Sequence, residues 1–223
     1  MTMRILIPVA AAVTFGVAAL VSTPSAGAER AALVPAPKMV LPASGNREVA
    51  YFAGGCFWGV EGVFERVNGV ESAVSGYAGG TKAQGDYETV SSGRTRHAET
   101  VRVVFNPRQV RYADLLQIYF SVVADPTQLN RQGPDTGPQY RSSFFPTSAA
   151  QTKQARAYIA QLSAAHAFGK PIVTKIEPFT GFVAAEAYHQ DFMRKNPAHP
   201  YIMVNDRPKV VALRKLFPQM SHS

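Results

Sequence analysis

The sequence predicts an α+β fold, a two-layer sandwich in which helices flank a mixed β-sheet. The 223-residue chain is 46% hydrophobic and 17% charged, a composition that is typical of a globular protein with a core. Segments with strand-like and helix-like periodicity follow the order strand, helix, strand, strand, helix, strand, helix, strand. Because strands and helices do not alternate strictly, this order favours a mixed sheet over a parallel βαβ arrangement.

The first 28 residues are predicted to be a secretory signal peptide. Arg4 gives a basic start, residues 5–21 form a nearly unbroken apolar run, and Ala26–Ala28 fits a small-x-small cleavage site. An uncleaved membrane anchor is the alternative, because the run is about long enough to span part of a bilayer. The cleavage site favours removal after Ala28, so we expect an exported protein, periplasmic or secreted.

Residues 29–47 are predicted to be a flexible leader, and residues 48–223 a single domain with a C-terminal tail. The leader is rich in Ala and Pro and has no periodicity. Loss of the signal peptide removes one basic residue, Arg4, from a net charge of +8. The basic residues are scattered, so we interpret them as a solvated surface and expect no nucleic acid and no stable membrane association.

The elements of the first half follow from apolar periodicity and from Gly and Asn-Gly breaks. They are a strand at 49–53, a helix from 57 to 67, a strand at 70–74, a Gly-rich loop at 76–86 and a strand at 97–105. In the last of these strands, Glu99 shares a face with Val101, Val103 and Phe105.

The second half is interpreted in the same way. Its predicted elements are a helix at 112–123, a loop rich in Pro and Gly at 125–138, a strand at 140–145, a helix at 148–166, a strand at 172–176, a short helix at 188–192 and a last helix at 206–216. In the last helix, Asp206 is expected to act as the cap and Pro208 to lie just inside the first turn.

Cys56 is the only cysteine in a chain that is predicted to enter an oxidising compartment. It is either a buried, inert side chain or a thiol retained for its chemistry. It lies between Gly54–Gly55 and the start of a helix, where free N–H groups and the helix dipole stabilise an anion. We therefore expect a lowered thiol pKa and a reactive thiolate. Phe57 and Trp58, the only tryptophan, are expected to form an aromatic wall that suits a methyl thioether.

Residues 55–59, Gly-Cys-Phe-Trp-Gly, match the signature of the peptide methionine sulfoxide reductase A family. The resemblance covers roughly residues 48–205, and further blocks follow in the family's order. These blocks are Ser75–Gly80, Tyr87–Val90, Ser92–Gly93, His97–Glu99, Asp125–Thr127, Gln132–Asp135, Gln139–Ser142 and Ala185–Gln190. The chain resembles the single-cysteine type of this family.

The resemblance implies an enzyme that reduces methionine S-sulfoxide, free or in proteins, to methionine. It implies that Cys56 is the nucleophile and that Glu99 supplies a proton or a strong hydrogen bond to the sulfoxide oxygen. Tyr87 and Tyr140 would help to bind that oxygen, and Asp135 would support this polar network. The two aromatic residues after Cys56 would hold the substrate methyl group.

Glu99 also has an argument that does not depend on the family. A carboxyl group on an otherwise apolar strand face would be partly desolvated and would have a raised pKa, as a general acid at neutral pH requires. The alternative is a Glu on an edge strand that faces water.

The cycle that the resemblance implies for Cys56 passes through a sulfenic acid. It needs an external thiol, such as thioredoxin, glutaredoxin, glutathione or dithiothreitol, and no cofactor or metal.

The sequence departs from the family pattern in two places. Ala124 stands where many members have His before Asp-Pro, which puts any role of that histidine in doubt. Ser91 occupies a position that is Cys in some relatives, and the C-terminal tail contains no further cysteine. We interpret His97 and His189 as structural residues or as residues that support those contacting the substrate, because the spacing of the histidines is not that of metal ligands.

Two other functions remain open at this point. One is a Cys–His hydrolase or thiol peroxidase, which would turn over a simple ester or peroxide but no methyl sulfoxide. The other is a cationic envelope-binding protein with an inert, buried Cys56, whose thiol would not react in the native protein. For the reductase, a monomer is expected.

Overall fold

The computed structural model describes residues 31–42 and 45–223. The predicted signal peptide lies outside the described residues. The strands are β1 (Glu48–Ala53), β2 (Val70–Ala78), β3 (Ala98–Phe105), β4 (Arg131–Gln132), β5 (Asp135–Thr136), β6 (Ser143–Phe144), β7 (Lys175–Ile176) and β8 (Phe182–Ala184). Six of them form one sheet in the order β7-β6-β1-β3-β2-β8, and β4 pairs with β5 in a separate hairpin.

The helices are α1 (Phe57–Phe64), α2 (Tyr87–Ser91), α3 (Tyr112–Ile118), α4 (Ala149–Ala164), α5 (Phe192–Lys195) and α6 (Arg207–Leu216). A π-helical turn continues α3 to Val123, and another precedes α6 from Ile202. Within residues 31–42 and 45–223, no helix is both long and apolar enough to cross a membrane.

The predicted α+β sandwich with a mixed sheet is confirmed. β6 and β7 are parallel, whereas β1, β2, β3, β6 and β8 pair antiparallel with their other neighbours. Phe52 of β1 is fully buried and stacks on Phe64 of α1 at 4.7 Å, so this part of the sheet packs directly on α1. Complete burial of one such side chain stabilises the fold by roughly 1.5–3 kcal/mol.

β2 is longer than the strand predicted at 70–74. It continues to Ala78 and pairs with β3 as far as Ala98, so the first residues of the predicted Gly-rich loop belong to the sheet. Gly76 permits this extension, because a Cβ atom there would lie 2.3 Å from the ring of Phe182 and from the Val183 carbonyl of β8. β8 was not predicted, since three residues are too few to show a strand period.

The prediction of a flexible leader at 29–47 is wrong for residues 31–42. This segment lies across α3 and α4 and is held by side chains of both helices and by Ser121 of the π-helical turn that follows α3. The bonds are Ala32 N to Ser121 O, Val34 N to Ser121 Oγ, Gln117 to Val34 O, Tyr158 to Pro35 O, Gln161 to Ala36 O and Gln154 to Met39 O. Amide and hydroxyl groups supply the partners, so apolar periodicity could not reveal the contact.

Three predicted elements are shorter than expected or displaced. In the predicted strand 140–145 only Ser143–Phe144 pairs, and in 172–176 only Lys175–Ile176 pairs, since these two short segments form the edge of the sheet next to β1. The short helix predicted at 188–192 begins instead at Phe192, because Asp191 adopts a left-handed conformation with φ of 57°.

Candidate active site

The thiol of Cys56 lies at a tight corner between β1 and α1. Gly55 has φ of +90°, a conformation that favours glycine, and a Cβ atom there would lie 2.6 Å from the side chain of Gln132. Cys56 follows as the N-terminal flanking residue of α1 and remains partly exposed. The corner therefore fixes the sulfur at the helix start in a residue that is only partly covered, which disagrees with a fully buried, inert cysteine.

Glu99 lies beside this corner in the middle of the sheet. β3 runs between β1 and β2, and Glu99 is only 3% exposed, so the alternative of an edge-strand Glu in water is excluded. Its Oε2 accepts the backbone N–H of Phe57 at 2.9 Å. Burial raises the pKa of Glu99 to about 8; the Phe57 N–H opposes this rise, and the charges of Asp135 and Asp206 add to it. The predicted rise is confirmed, and the carboxyl is mostly protonated at pH 7.

The predicted lowering of the Cys56 pKa is wrong. Burial raises the pKa of this thiol well above its usual value, the charges of Glu99 and Asp206 raise it further, and the N–H of Trp58 only partly opposes them. The first N–H of α1 is already occupied by Glu99, which leaves less of the helix end for the sulfur. The resting site at neutral pH thus holds a thiol and a carboxylic acid.

The two aromatic residues after Cys56 differ in their exposure. Phe57 is 1% exposed and packs against Tyr77 and His189, with ring centroids 5.8 and 5.0 Å away. Trp58 is half-buried and stacks on Phe192 at 3.7 Å with an angle of 8° between the rings. Trp58 is thus the more accessible part of the predicted aromatic wall, and Phe57 is its buried part.

The structure brings the predicted polar residues to the same place. Burial raises the pKa of Tyr87 and of Tyr140, and the charges of Glu99 and Cys56 raise both further, so the two phenols lie within electrostatic range of the thiol and the acid. Burial also raises the pKa of Asp135, although a hydrogen bond and the charge of Lys209 act against it. Residues from α2, the β4–β5 hairpin and the turn before β6 therefore converge on the start of α1.

Two residues at this site were missed by the sequence analysis. Tyr201 donates a hydrogen bond to Asp135 Oδ2, and its ring meets Trp58 edge-on at 5.9 Å. Asp206 was expected to cap α6, but its side chain makes no cap bond and lies instead against Gly59, buried to 1% exposure. Neither residue had a local signal, because each reaches the site through packing of the C-terminal segment.

Gly59 allows this packing, which gives a first prediction. A Cβ atom at Gly59 would lie 2.2 Å from Asp206 Oδ1, so Gly59→Ala should displace the buried carboxylate and lower the free energy of unfolding by about 1–3 kcal/mol. Gly62 on the same helix is a matched control: its added Cβ would meet the flexible end of Met193, so Gly62→Ala should cost less. Urea unfolding measures both variants, and equal costs would contradict the role given to Gly59.

The histidines separate into two environments. His97 is buried away from the thiol, with Nε2 2.9 Å from the Thr81 carbonyl oxygen, in agreement with a structural role. His189 instead accepts the indole N–H of Trp58 at 3.1 Å and so belongs to the site.

The two positions that depart from the family pattern have ordinary surroundings. Ala124 lies against Gly54, and the Ser91 hydroxyl donates a hydrogen bond to the Glu88 carbonyl within α2. In residues 31–42 and 45–223, no group of three or more potential ligands could hold a metal ion.

An accessible thiol, a protonated buried carboxyl and an aromatic wall, all held at one end of an α+β sandwich, define a thiol-dependent oxidoreductase. The sequence model of the family described as peptide methionine sulfoxide reductase matches residues 48–220. The chain belongs to this family.

Curated relatives and solved structures agree with this assignment. A protein named peptide methionine sulfoxide reductase MsrA 2 from Mesorhizobium japonicum is 54% identical over 178 residues, which cover 80% of this chain and 91% of the relative. One of the same name from Synechocystis is 52% identical over 76% of this chain and 79% of the relative. The reduced form of Saccharomyces cerevisiae Mxr1 superposes with a TM-score of 0.64 at 32% identity, covering 75% and 94% of the two chains. Methionine sulfoxide reductase A of Corynebacterium diphtheriae superposes with a TM-score of 0.59 at 31% identity, covering 79% and 92%.

Proposed function

We propose that this chain reduces methionine S-sulfoxide, free or in proteins, by transferring the sulfoxide oxygen to the sulfur of Cys56. The observation that carries the proposal is the pairing of an accessible thiol with Glu99, whose pKa of about 8 keeps it protonated at neutral pH. Reduction of a sulfoxide needs a nucleophile at sulfur and a proton at oxygen together. These two groups supply both requirements.

The remaining residues position the substrate in this proposal. The sulfoxide oxygen lies among the Glu99 carboxyl and the phenols of Tyr87 and Tyr140, and Asp135 holds that polar network from behind. The methyl group packs against Trp58, since an indole face suits a small group next to sulfur. Phe57 supports this wall from the buried side.

The atoms and electrons of the step balance. The Cys56 sulfur attacks the substrate sulfur while Glu99 gives its proton to the oxygen. The sulfur–oxygen bond of the substrate breaks, one forms at Cys56, and methionine leaves with its sulfur reduced by two electrons. Cys56 becomes a sulfenic acid, and its former thiol proton restores Glu99.

Recovery of the thiol depends on a molecule outside the chain. Cys56 is the only cysteine, so no internal disulfide can form. An external thiol attacks the sulfenic sulfur and releases water, and a second thiol then frees Cys56 as a new disulfide forms. Thioredoxin, glutaredoxin, glutathione and dithiothreitol have the required chemistry.

We therefore predict the mass of the enzyme after one turnover without reductant. Intact-mass analysis should show a gain of one oxygen, the sulfenic step of cysteine oxidation. Glutathione should convert this species to a mixed disulfide, and dithiothreitol should restore the starting mass. A monomeric product that has lost two hydrogens would contradict the scheme, as would an unchanged mass after stoichiometric release of methionine.

The function itself is tested by assaying each epimer of a methionine sulfoxide derivative with dithiothreitol as reductant. Turnover of the S epimer, with little of the R epimer, is the expected result. Turnover of a simple ester or of peroxide, with none of either sulfoxide, would instead favour a hydrolase or a thiol peroxidase.

The cellular setting is a separate part of the proposal. We propose that residues 1–28 are removed on export and that the remaining chain acts as a monomer in the periplasm or outside the cell. The basic start, the apolar run and the small-residue cleavage site support export. N-terminal sequencing of the protein recovered from the cell envelope or medium should begin at Glu29.

A further inference from the structure

His189 lies between the partly exposed carboxylate of Glu186 and the aromatic wall. It is only 2% exposed, and its ring lies against the rings of Phe57, Tyr87 and Tyr188, with centroids 5.0, 4.5 and 4.2 Å away. The indole N–H of Trp58 donates to its Nδ1 at 3.1 Å. A buried polar ring in this position needs an explanation, because the packing alone would suit an apolar side chain equally well.

The hydrogen bond from Trp58 fixes the proton on the histidine. An indole nitrogen can only donate, so Nδ1 must be the bare nitrogen and the proton must sit on Nε2. Nε2 has no hydrogen-bond partner within the described structure, but it faces Glu186 Oε2 at 4.0 Å, where the carboxylate favours an N–H. Burial lowers the pKa of His189, although the charge of Glu186 opposes this, and so the neutral ring is favoured.

Stacking on Phe192 does not by itself define the position of Trp58. Two parallel rings 3.7 Å apart fix the plane of the indole, but they leave open a half-turn about the Cβ–Cγ bond, which exchanges the edge that faces His189. The N–H bond to His189 removes this freedom, because only one edge of the indole carries a donor. The rings of Tyr201 and His199 meet the indole at steep angles, with centroids 5.9 Å away in each case.

Glu186 also contacts Tyr87, one of the residues proposed to bind the sulfoxide oxygen. Its Oε1 accepts the backbone N–H of Tyr87 at 2.8 Å, and its Oε2 accepts the hydroxyl of Tyr77 at 3.0 Å. These bonds hold the start of α2, from which Tyr87 projects, to the carboxylate that faces His189. Trp58 and Tyr87 are thus held by two neighbouring side chains, His189 and Glu186.

We infer that His189, whose Nδ1 accepts the indole N–H, is a positioning residue that orients Trp58 to receive the methyl group of the sulfoxide. The inference rests on the proposed function for the identity of the substrate, but not for the contact itself. His189 does not touch the reacting atoms in this role and transfers no proton.

The test compares His189→Ala with His189→Asn. Alanine removes the acceptor, whereas the Asn Oδ1 can take the place of Nδ1 opposite the indole N–H. We expect His189→Ala to raise the KM for the S epimer of a methionine sulfoxide derivative about fivefold, the effect of one net hydrogen bond, with a smaller change in kcat. His189→Asn should restore most of the affinity.

Trp58 provides a readout that does not require catalysis. It is the only tryptophan, so its emission reports this one contact directly. We expect a shifted emission maximum in His189→Ala and a nearly normal one in His189→Asn. His97→Asn is the matched control, since His97 is equally buried but bonds the Thr81 carbonyl, and it should change neither emission nor KM.

Trp58→Phe examines the same bond from its other end and serves if His189→Ala does not fold. Phenylalanine keeps an aromatic ring but has no N–H, so this variant should raise KM to a similar degree, and adding His189→Asn to it should change KM little further. Additive effects, or normal emission in a folded His189→Ala, would overturn the inference. A wild-type enzyme inactive on both sulfoxide epimers would refute the proposed function instead, and the emission results would still decide the contact.

Discussion

Cys56→Ser should abolish reduction of methionine sulfoxide while leaving the fold intact. A hydroxyl is a far weaker nucleophile than a thiol and cannot take up the oxygen as a sulfenic acid. No second thiol exists in the chain to replace it. The measurement is methionine release with dithiothreitol, compared with a blank that contains only the reductant.

Two observations make the result for Cys56→Ser decisive. Circular dichroism and Trp58 emission should match the wild type, because the side chain is partly exposed and serine has nearly the same shape. Cys56→Ala, which also removes the hydroxyl, should be equally inactive. Turnover by either variant above the blank would mean that the oxygen is not transferred to this residue.

Glu99→Gln should reduce kcat by about 100- to 10,000-fold, the usual contribution of a general acid. Glutamine retains the size of the side chain and can still accept the N–H of Phe57, but it has no carboxylic proton to give. Glu61→Gln is the matched control. Glu61 is also buried, and burial together with the charge of Glu65 raises its pKa to about 7, yet it faces Ser75 and Asp191 instead of the thiol.

Although Glu99→Gln should lower kcat, it should increase the stability of the fold at pH 8. The pKa of Glu99 is raised to about 8 in the fold, so its contribution is fully present below the unfolded pKa near 4.5 and is lost as the pH rises through 8. Glu99→Gln should therefore match the wild type near pH 4 and be more stable at pH 8, with about 5 kcal/mol as the ceiling. Urea unfolding at both pH values tests this, and loss of stability at pH 8 would argue against a buried neutral acid.

The sequence predicted the parts of the site that depend on neighbouring residues. The Gly54–Gly55 corner and the helix after it were evident because glycine breaks and helical spacing are local signals. The burial of Glu99 was predictable from strand alternation, since its face carries only apolar neighbours. The central strands and α4 were found for the same reason.

Other features depended on contacts that no local pattern records. Tyr201 and Asp206 reach the thiol through packing of the C-terminal segment on α1. The sign of the Cys56 pKa shift depended on burial and on two carboxyl groups outweighing the helix end, which only the assembled site reveals. Residues 31–42 are ordered by polar side chains of α3 and α4. Such side chains are also common on solvent-facing helix surfaces, so their presence in the sequence does not indicate the contact.

The distance along the chain between Cys56 and Asp206 has a consequence for synthesis. A polypeptide emerges from the ribosome amino end first, so Cys56 is exposed long before Tyr201 and Asp206 exist to cover it. During that interval the thiol lacks the carboxylate that raises its pKa, and the indole of Trp58 lacks the ring of Tyr201. The nascent chain therefore carries a cysteine without an assembled cleft, and we expect reductase activity only once the carboxyl-terminal segment has been released and has docked.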